Sequence, residues 1–124
     1  MSRFVVLQHD PAAGSPEPVH WDLMLEQEGV LLTWALTLPP DAGGVVTARK
    51  LPDHRLEYLD YEGEISGGRG SVTRWDRGTC ALEEVHDERV VVRLDGARLR
   101  GEARLERGES EPAWQYRFTP ESRR

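Results

Sequence analysis

The chain is short of several things, and each shortage removes a class of protein. It has one cysteine, Cys80, in 124 residues, so no internal disulfide can form. The expected compartment is the reducing cytoplasm rather than an oxidising secretory space. Cys80 itself reads as a small buried hydrophobe, not as a nucleophile. No apolar run approaches the ~20 residues that a membrane-crossing helix needs. The opening stretch Phe4-Val5-Val6-Leu7 is too short for a signal-peptide core and lacks a small-residue cleavage site. Lysine is nearly absent: of sixteen lysines and arginines only Lys50 is lysine, and the net charge is −6. That balance excludes the basic stripe of proteins that wrap long nucleic acid. It leaves room for an enzyme that grips one phosphate at a strand end. The arginines of the second half, from Arg69 to Arg104, are interleaved with acids and read as solvated strand faces.

Helical periodicity is missing as well. What is there instead is a series of short alternating segments separated by turn residues, over a length that suits one domain spanning 1–124. Phe4–Gln8 reads as a buried strand, and Pro11–Pro18 as a loop. His20–Glu26 and Val30–Leu36 read as a hairpin joined at Glu28-Gly29. Val45–Ala48 is a short strand before Pro52, and Ser66–Gly70 is a Gly-rich loop leading into Ser71–Trp75. Arg89–Leu94, a turn at Asp95-Gly96, Leu99–Leu105 and Trp114–Phe118 complete the pattern. Turns are expected near Pro52–Tyr58 and Leu82–Val85, and the Glu121–Arg124 tail is expected to fray. The four tryptophans, each in an alternating apolar frame, read as core. Many short strands at regular spacing predict a mainly β protein, a compact antiparallel β-barrel with short flanking helices or turns.

The chemistry concentrates near the N-terminus. On a strand, His20, Asp22, Met24 and Glu26 share one face, while Trp21, Leu23 and Leu25 share the other. An imidazole and a carboxylate therefore project together from a rigid element, and His9 arrives from the preceding segment. Two imidazoles and one carboxylate suit Mn²⁺ or Zn²⁺ and leave positions for water and phosphate oxygens. The competing reading is a hydrogen-bonded His–Asp pair without metal. Asp10 and Glu26 are candidates to orient a ligating histidine, or are solvent-facing acids. His54 and Tyr58 lie four apart, either as a reactive pair or as a capping histidine beside a half-buried core tyrosine. His86 reads as a surface residue.

The ordered motifs resemble a family. Phe4 to Asp10 is similar to the F-V-V-Q-K-H-D of the 3′-phosphoesterase domain of bacterial DNA ligase D and its stand-alone relatives. His20 to Glu26 matches that family's H-Y-D-x-R-L-E, and Gly29 to Ala35 its G-V-L-x-S-W-A. Asp53 to Tyr58 looks like D-H-P-L-E-Y, Trp75 to Thr79 like W-D-R-G-T, and Leu94 to Glu102 like L-x-G-x-x-L-x-G-x. The resemblance covers nearly the whole chain and implies a compact barrel. It implies Mn²⁺ held by His9, His20 and Asp22, with Zn²⁺ or another divalent metal as the alternative. It also implies that His54 and Tyr58 address the reacting phosphate, a general acid or charge-stabilising imidazole beside a hydrogen-bonding phenol. The implied reaction removes a 3′-phosphate or terminal 3′-ribonucleotide from DNA to leave a 3′-hydroxyl. A DNA ligase or polymerase would work beside it in trans.

Two departures qualify that expectation. Met24 stands where the family has Arg, and Leu38 where it has Lys. Neither side chain can neutralise a phosphate oxygen, a loss that typically costs ~10²–10³ in rate when nothing replaces it. Arg55 and Arg69 are the candidates to supply the missing charge. Two rivals follow: a non-catalytic metal-binding module of DNA repair, and a hydrolase of a small phosphoester.

Overall fold

The computed structural model describes residues 1–108 and 113–122. Nine strands run β1 (Ser2–Asp10), β2 (His20–Gln27), β3 (Val30–Leu36), β4 (Val45–His54), β5 (Gly63–Glu64), β6 (Ser71–His86), β7 (Arg89–Gly96), β8 (Arg100–Arg107) and β9 (Trp114–Pro120). All pairings are antiparallel, in the order β1-β2-β3-β4-β9-β8-β7-β6-β5, and β1 pairs β6 as well as β2. That extra pairing closes the sheet into a barrel-like ring, which leaves few free edges for other chains to pair with. Helix is confined, among the described residues, to one 3₁₀ segment, Leu56–Leu59.

The continuous apolar runs of β1 and β2 have a simple cause: both of their faces are covered. Phe4, Val6, Leu23 and Leu25 point into the ring and join Trp34, Val92, Leu105 and Tyr116 in the main core. Val5, Leu7 and Met24 point outward, yet they are buried too, under Leu59, Leu31 and Val72 with Leu56 and Tyr58 at the margin. The 3₁₀ segment therefore acts as a cover over the outer face of β1 and β2, beside the candidate site. Burial of a Leu-sized side chain contributes about 1.5–3 kcal/mol, so this second cluster anchors the cover firmly. The Glu28-Gly29 turn joins β2 to β3 as expected, with both residues at positive φ, the geometry that suits the twist of a two-residue hairpin.

Several sequence expectations are corrected. The 45–48 strand continues through Pro52 to His54, because after Ala48 only the β3 side of β4 carries a ladder, and a proline is tolerated on such a free edge. The turn expected near 82–85 is a bulge inside the long β6, between Leu82 and Glu84. The turn expected at Asp95-Gly96 lies two residues later, at Ala97-Arg98: Gly96 is still in β7 and its N–H donates to Leu99 O at 2.8 Å. A Cβ on Gly96 would meet the Asp76 carboxylate and Phe4, and Asp76 itself accepts the backbone N–H groups of Arg77, Ala97 and Leu99. Trp34 and Trp114 are core, and Trp21 and Trp75 are partly buried and pack against it, Trp75 with Arg98 stacked 4.5 Å over its ring. Residues 121 and 122 lie outside any strand, and the rest of the tail lies outside the described residues.

Candidate metal centre

Strand register builds the centre. His9 on β1 lies directly opposite His20 on β2, and Leu7 opposite Asp22, so paired side chains share a face. The two imidazole rings are 4.5 Å apart, centroid to centroid, and tilted. His20 Nε2 lies 3.4 Å from Asp22 Oδ1, and His9 Nδ1 lies 3.9 Å from Asp22 Oδ2. One ligand atom from each of the three residues falls within 4.8 Å of the others.

Backbone carbonyls orient the rings. His9 Nε2 is 2.7 Å from Arg69 O, and His20 Nδ1 makes a longer 3.5 Å contact with Pro18 O. A carbonyl only accepts, so these nitrogens carry the protons in the neutral rings. His9 Nδ1 and His20 Nε2 are then left as lone pairs facing a carboxylate. Asp22 is buried, and its Oδ1 has no hydrogen-bond partner. Burial holds its carboxyl above the ordinary range, opposed by His20, His9 and His54 when they are protonated and, more weakly, by Arg49. Converging lone pairs around an unpartnered buried carboxylate oxygen are a poor arrangement alone and a good one around a cation. The donor set fits a divalent metal.

The loop beside His9 depends on Gly70. Its φ is +94°, and a Cβ there would fall 2.1 Å from Asp10 O, so only glycine lets the 66–70 loop press against the end of β1. That approach brings the Arg69 carbonyl to His9. On the other flank, His54 Nδ1 donates to Pro52 O at 2.8 Å, which leaves Nε2 free. The His54 ring stands edge-on to Tyr58 at 5.5 Å, and Tyr58 is edge-on to Tyr61 at 5.9 Å. His9, Asp22, His54, Tyr58 and Arg69 all line one cavity of about 90 Å³ with Met24 at its floor, enough for about three waters or a comparable group.

The other sequence candidates lie elsewhere. Arg55 is largely exposed and pairs with Glu57 at 3.4 Å. The Arg69 guanidinium turns back to Ser66, with Nε donating to its carbonyl at 2.8 Å. Glu26 takes a two-pronged contact from Arg3, at 2.9 and 2.8 Å, at the far end of β2. Asp10 accepts the Gln8 side-chain amide at 3.2 Å, and exposed His86 sits 3.6 Å from Glu84. Met24 is fully buried, whereas Leu38 is half exposed. Sequence reasoning missed Arg49. It shares a register row with Ala35 and Asp22 across β4, β3 and β2, and the small Ala35 leaves its charge room to act on Asp22. Only the register could have revealed it.

The fold and the donor set together place a candidate divalent-cation site, His9, His20 and Asp22, on the outer face of a closed antiparallel sheet. Residues 8–107 match the family described as the DNA Ligase D 3′-phosphoesterase domain, and the chain belongs to that family. It is 38% identical over 109 residues to the multifunctional non-homologous end joining protein LigD of Mycobacterium bovis, covering 81% of this chain and 14% of that protein. The Pseudomonas aeruginosa protein of the same name is 34% identical over 112 residues, covering 80% of this chain and 12% of its own length. The chain thus spans only 14% and 12% of the length of these curated relatives. Among the described residues, no helix is long and apolar enough to cross a membrane.

Proposed function

We propose that this chain is a metal-dependent phosphoesterase of DNA end-joining repair, acting at DNA 3′ ends in the cytoplasm. It removes a 3′-phosphate or a terminal 3′-ribonucleotide and leaves a 3′-hydroxyl that a ligase or polymerase can use. One observation carries the reading: the buried Asp22 carboxylate has an unpartnered Oδ1 and faces two imidazole lone pairs, His20 through Oδ1 and His9 through Oδ2. Family membership supports DNA as the substrate and end joining as the setting.

His9, His20 and Asp22 would hold the metal, Mn²⁺ first and Zn²⁺ second. A divalent ion there supplies Lewis-acid polarisation and charge neutralisation for a phosphoester. His54, with Nδ1–H committed to Pro52 O, is set to carry a second proton on Nε2 and give it to the departing ester oxygen. Tyr58 lines the same cavity, and a phenol there can donate to a phosphate oxygen. Arg49 adds positive charge on the β4 side.

The test is a primer–template ending in a 3′-phosphate or a 3′-ribonucleotide, incubated with Mn²⁺ or with chelator, beside His20→Ala. The expected result is Mn²⁺-dependent conversion to a 3′-hydroxyl that the variant lacks. A second reading, a non-catalytic metal-binding module, is favoured by the apolar Met24 at the cavity floor and by the Arg69 guanidinium engaged with Ser66. Mn²⁺ binding without conversion of either primer would select it. Hydrolysis of a mononucleotide but not of either primer would instead point to a small phosphoester as substrate.

A further inference from the structure

One feature that the metal centre leaves unexplained adjoins it and shares His20 with it. A cavity of about 540 Å³ opens on the outer face of β2, β3 and β4, roofed on one side by the Pro16–Pro18 loop. Its cause is local. Val46 and Ala48 face the core, so Thr47 and Arg49 face outward with His20, Asp22 and Ala35. Ala35, Thr37 and Thr47 are small, and among the described residues no 3₁₀ segment covers this part of the sheet as one covers β1 and β2. A trough remains, walled by proline rings and by His20. His20 belongs both to the cavity and to the metal cluster, and Arg49 lines the cavity in the same register row as Ala35 and Asp22. The volume falls in the ordinary range for small organic ligands.

We propose that this trough is the subsite for the nucleoside attached to the reacting phosphate, with Arg49 at the junction between base and metal. The proposal rests on the phosphoesterase reading and names where its substrate lies. Charge fixes the direction. Glu17 on the loop side repels a phosphate, whereas Arg49 and the metal cluster attract it, so the sugar and base occupy the aliphatic end. The walls offer proline rings, alanine and threonine rather than a fixed array of donors and acceptors. Base identity should therefore matter little: purine and pyrimidine ends bind within a few-fold of each other.

The experiment follows backbone amide signals of the full chain in chelator, where no turnover occurs, during titration with deoxyadenosine 3′-monophosphate, deoxyadenosine or inorganic phosphate. The nucleotide should shift Ala35, Thr37, Thr47 and Arg49, and the nucleoside should shift the same residues at higher concentration. Thr47→Trp should fill the trough and weaken nucleotide binding roughly tenfold or more, the equivalent of one lost apolar contact of side-chain size. Its Mn²⁺-induced rise in Tm should stay that of the native protein. Arg49→Gln should reduce nucleotide affinity to that of the nucleoside. If Thr47→Trp does not fold, Thr37→Phe makes the same test from the residue just past the end of β3. Shifts confined to other surfaces, or nucleotide affinity unchanged in the filled variant, would overturn the subsite. The two proposals fail separately. A native chain that binds nucleotide here but converts no 3′ end loses the phosphoesterase reading alone. One that converts ends with an unchanged KM in Thr47→Trp loses the subsite alone.

Discussion

Replacing Asp22 with asparagine should stabilise the metal-free protein and abolish its response to metal. The carboxylate is buried with Oδ1 unpartnered, and an unsatisfied buried acceptor costs about 1–3 kcal/mol, more when charged. Asparagine has the same shape, carries no charge, and its amide can donate to the His20 Nε2 lone pair that now stands 3.4 Å from Oδ1. The expected gain is about 2 kcal/mol, or roughly 8 °C in Tm at about 4 °C per kcal/mol for a domain of this size. The assay is thermal unfolding in chelator at pH 8, where ordinary imidazoles are neutral. Repeated in Mn²⁺ at a hundredfold excess over its dissociation constant, the native chain should gain about 2.7 kcal/mol and the variant nothing. The order of stabilities then reverses between the two buffers. A variant less stable than the native chain in chelator would mean that the imidazoles already satisfy the carboxylate as charged partners. The argument for a cation would then fail.

Three further outcomes are expected. Asp76→Ala strips the acceptor from the backbone N–H groups of Arg77, Ala97 and Leu99 and should cost about 3 kcal/mol, read as a lower midpoint in urea; a change under ~1 kcal/mol would refute the bracing role. Glu26 is held down to about 2 by its contact with Arg3. A depressed carboxyl stabilises the fold above its unfolded pKa and loses that contribution as pH falls, here between about 4.5 and 2. Arg3 is half exposed, so solvent screening keeps the contribution small. The native chain should therefore lose more stability than Glu26→Gln across that window, and parallel acid titrations of the two would contradict this. Burial pushes the Cys80 thiol up to about 11, so a thiol reagent at pH 8 should label it only after unfolding; rapid labelling of the native chain would show that β6 opens locally.

The alternation in His20–Glu26 placed His20 and Asp22 on one face before any fold was known, because a strand's side-chain period is a property of the backbone alone. The same local rule gave the Glu28-Gly29 hairpin, the β character of the chain, and the apolar runs of β1 and β2. Local rules fail where a distant neighbour decides. Asp95-Gly96 looks like a turn, but the Asp76 carboxylate needs the space beside Gly96 and keeps it in β7. Arg55 sits next to His54 in sequence, yet it faces solvent and Glu57. Glu26 shares a strand face with Asp22, yet Arg3 claims it. What the sequence determined by itself was the chemistry available on each element and the face that carries it. Only the tertiary structure decided which of those groups meet. It set His9 against His20 by register, drew His54 and Tyr58 over Met24 with the 3₁₀ cover, and aligned Arg49 with Asp22 across Ala35. The reason is physical: side-chain direction is fixed by bonds one residue long, whereas register and burial are fixed by closure of the whole ring.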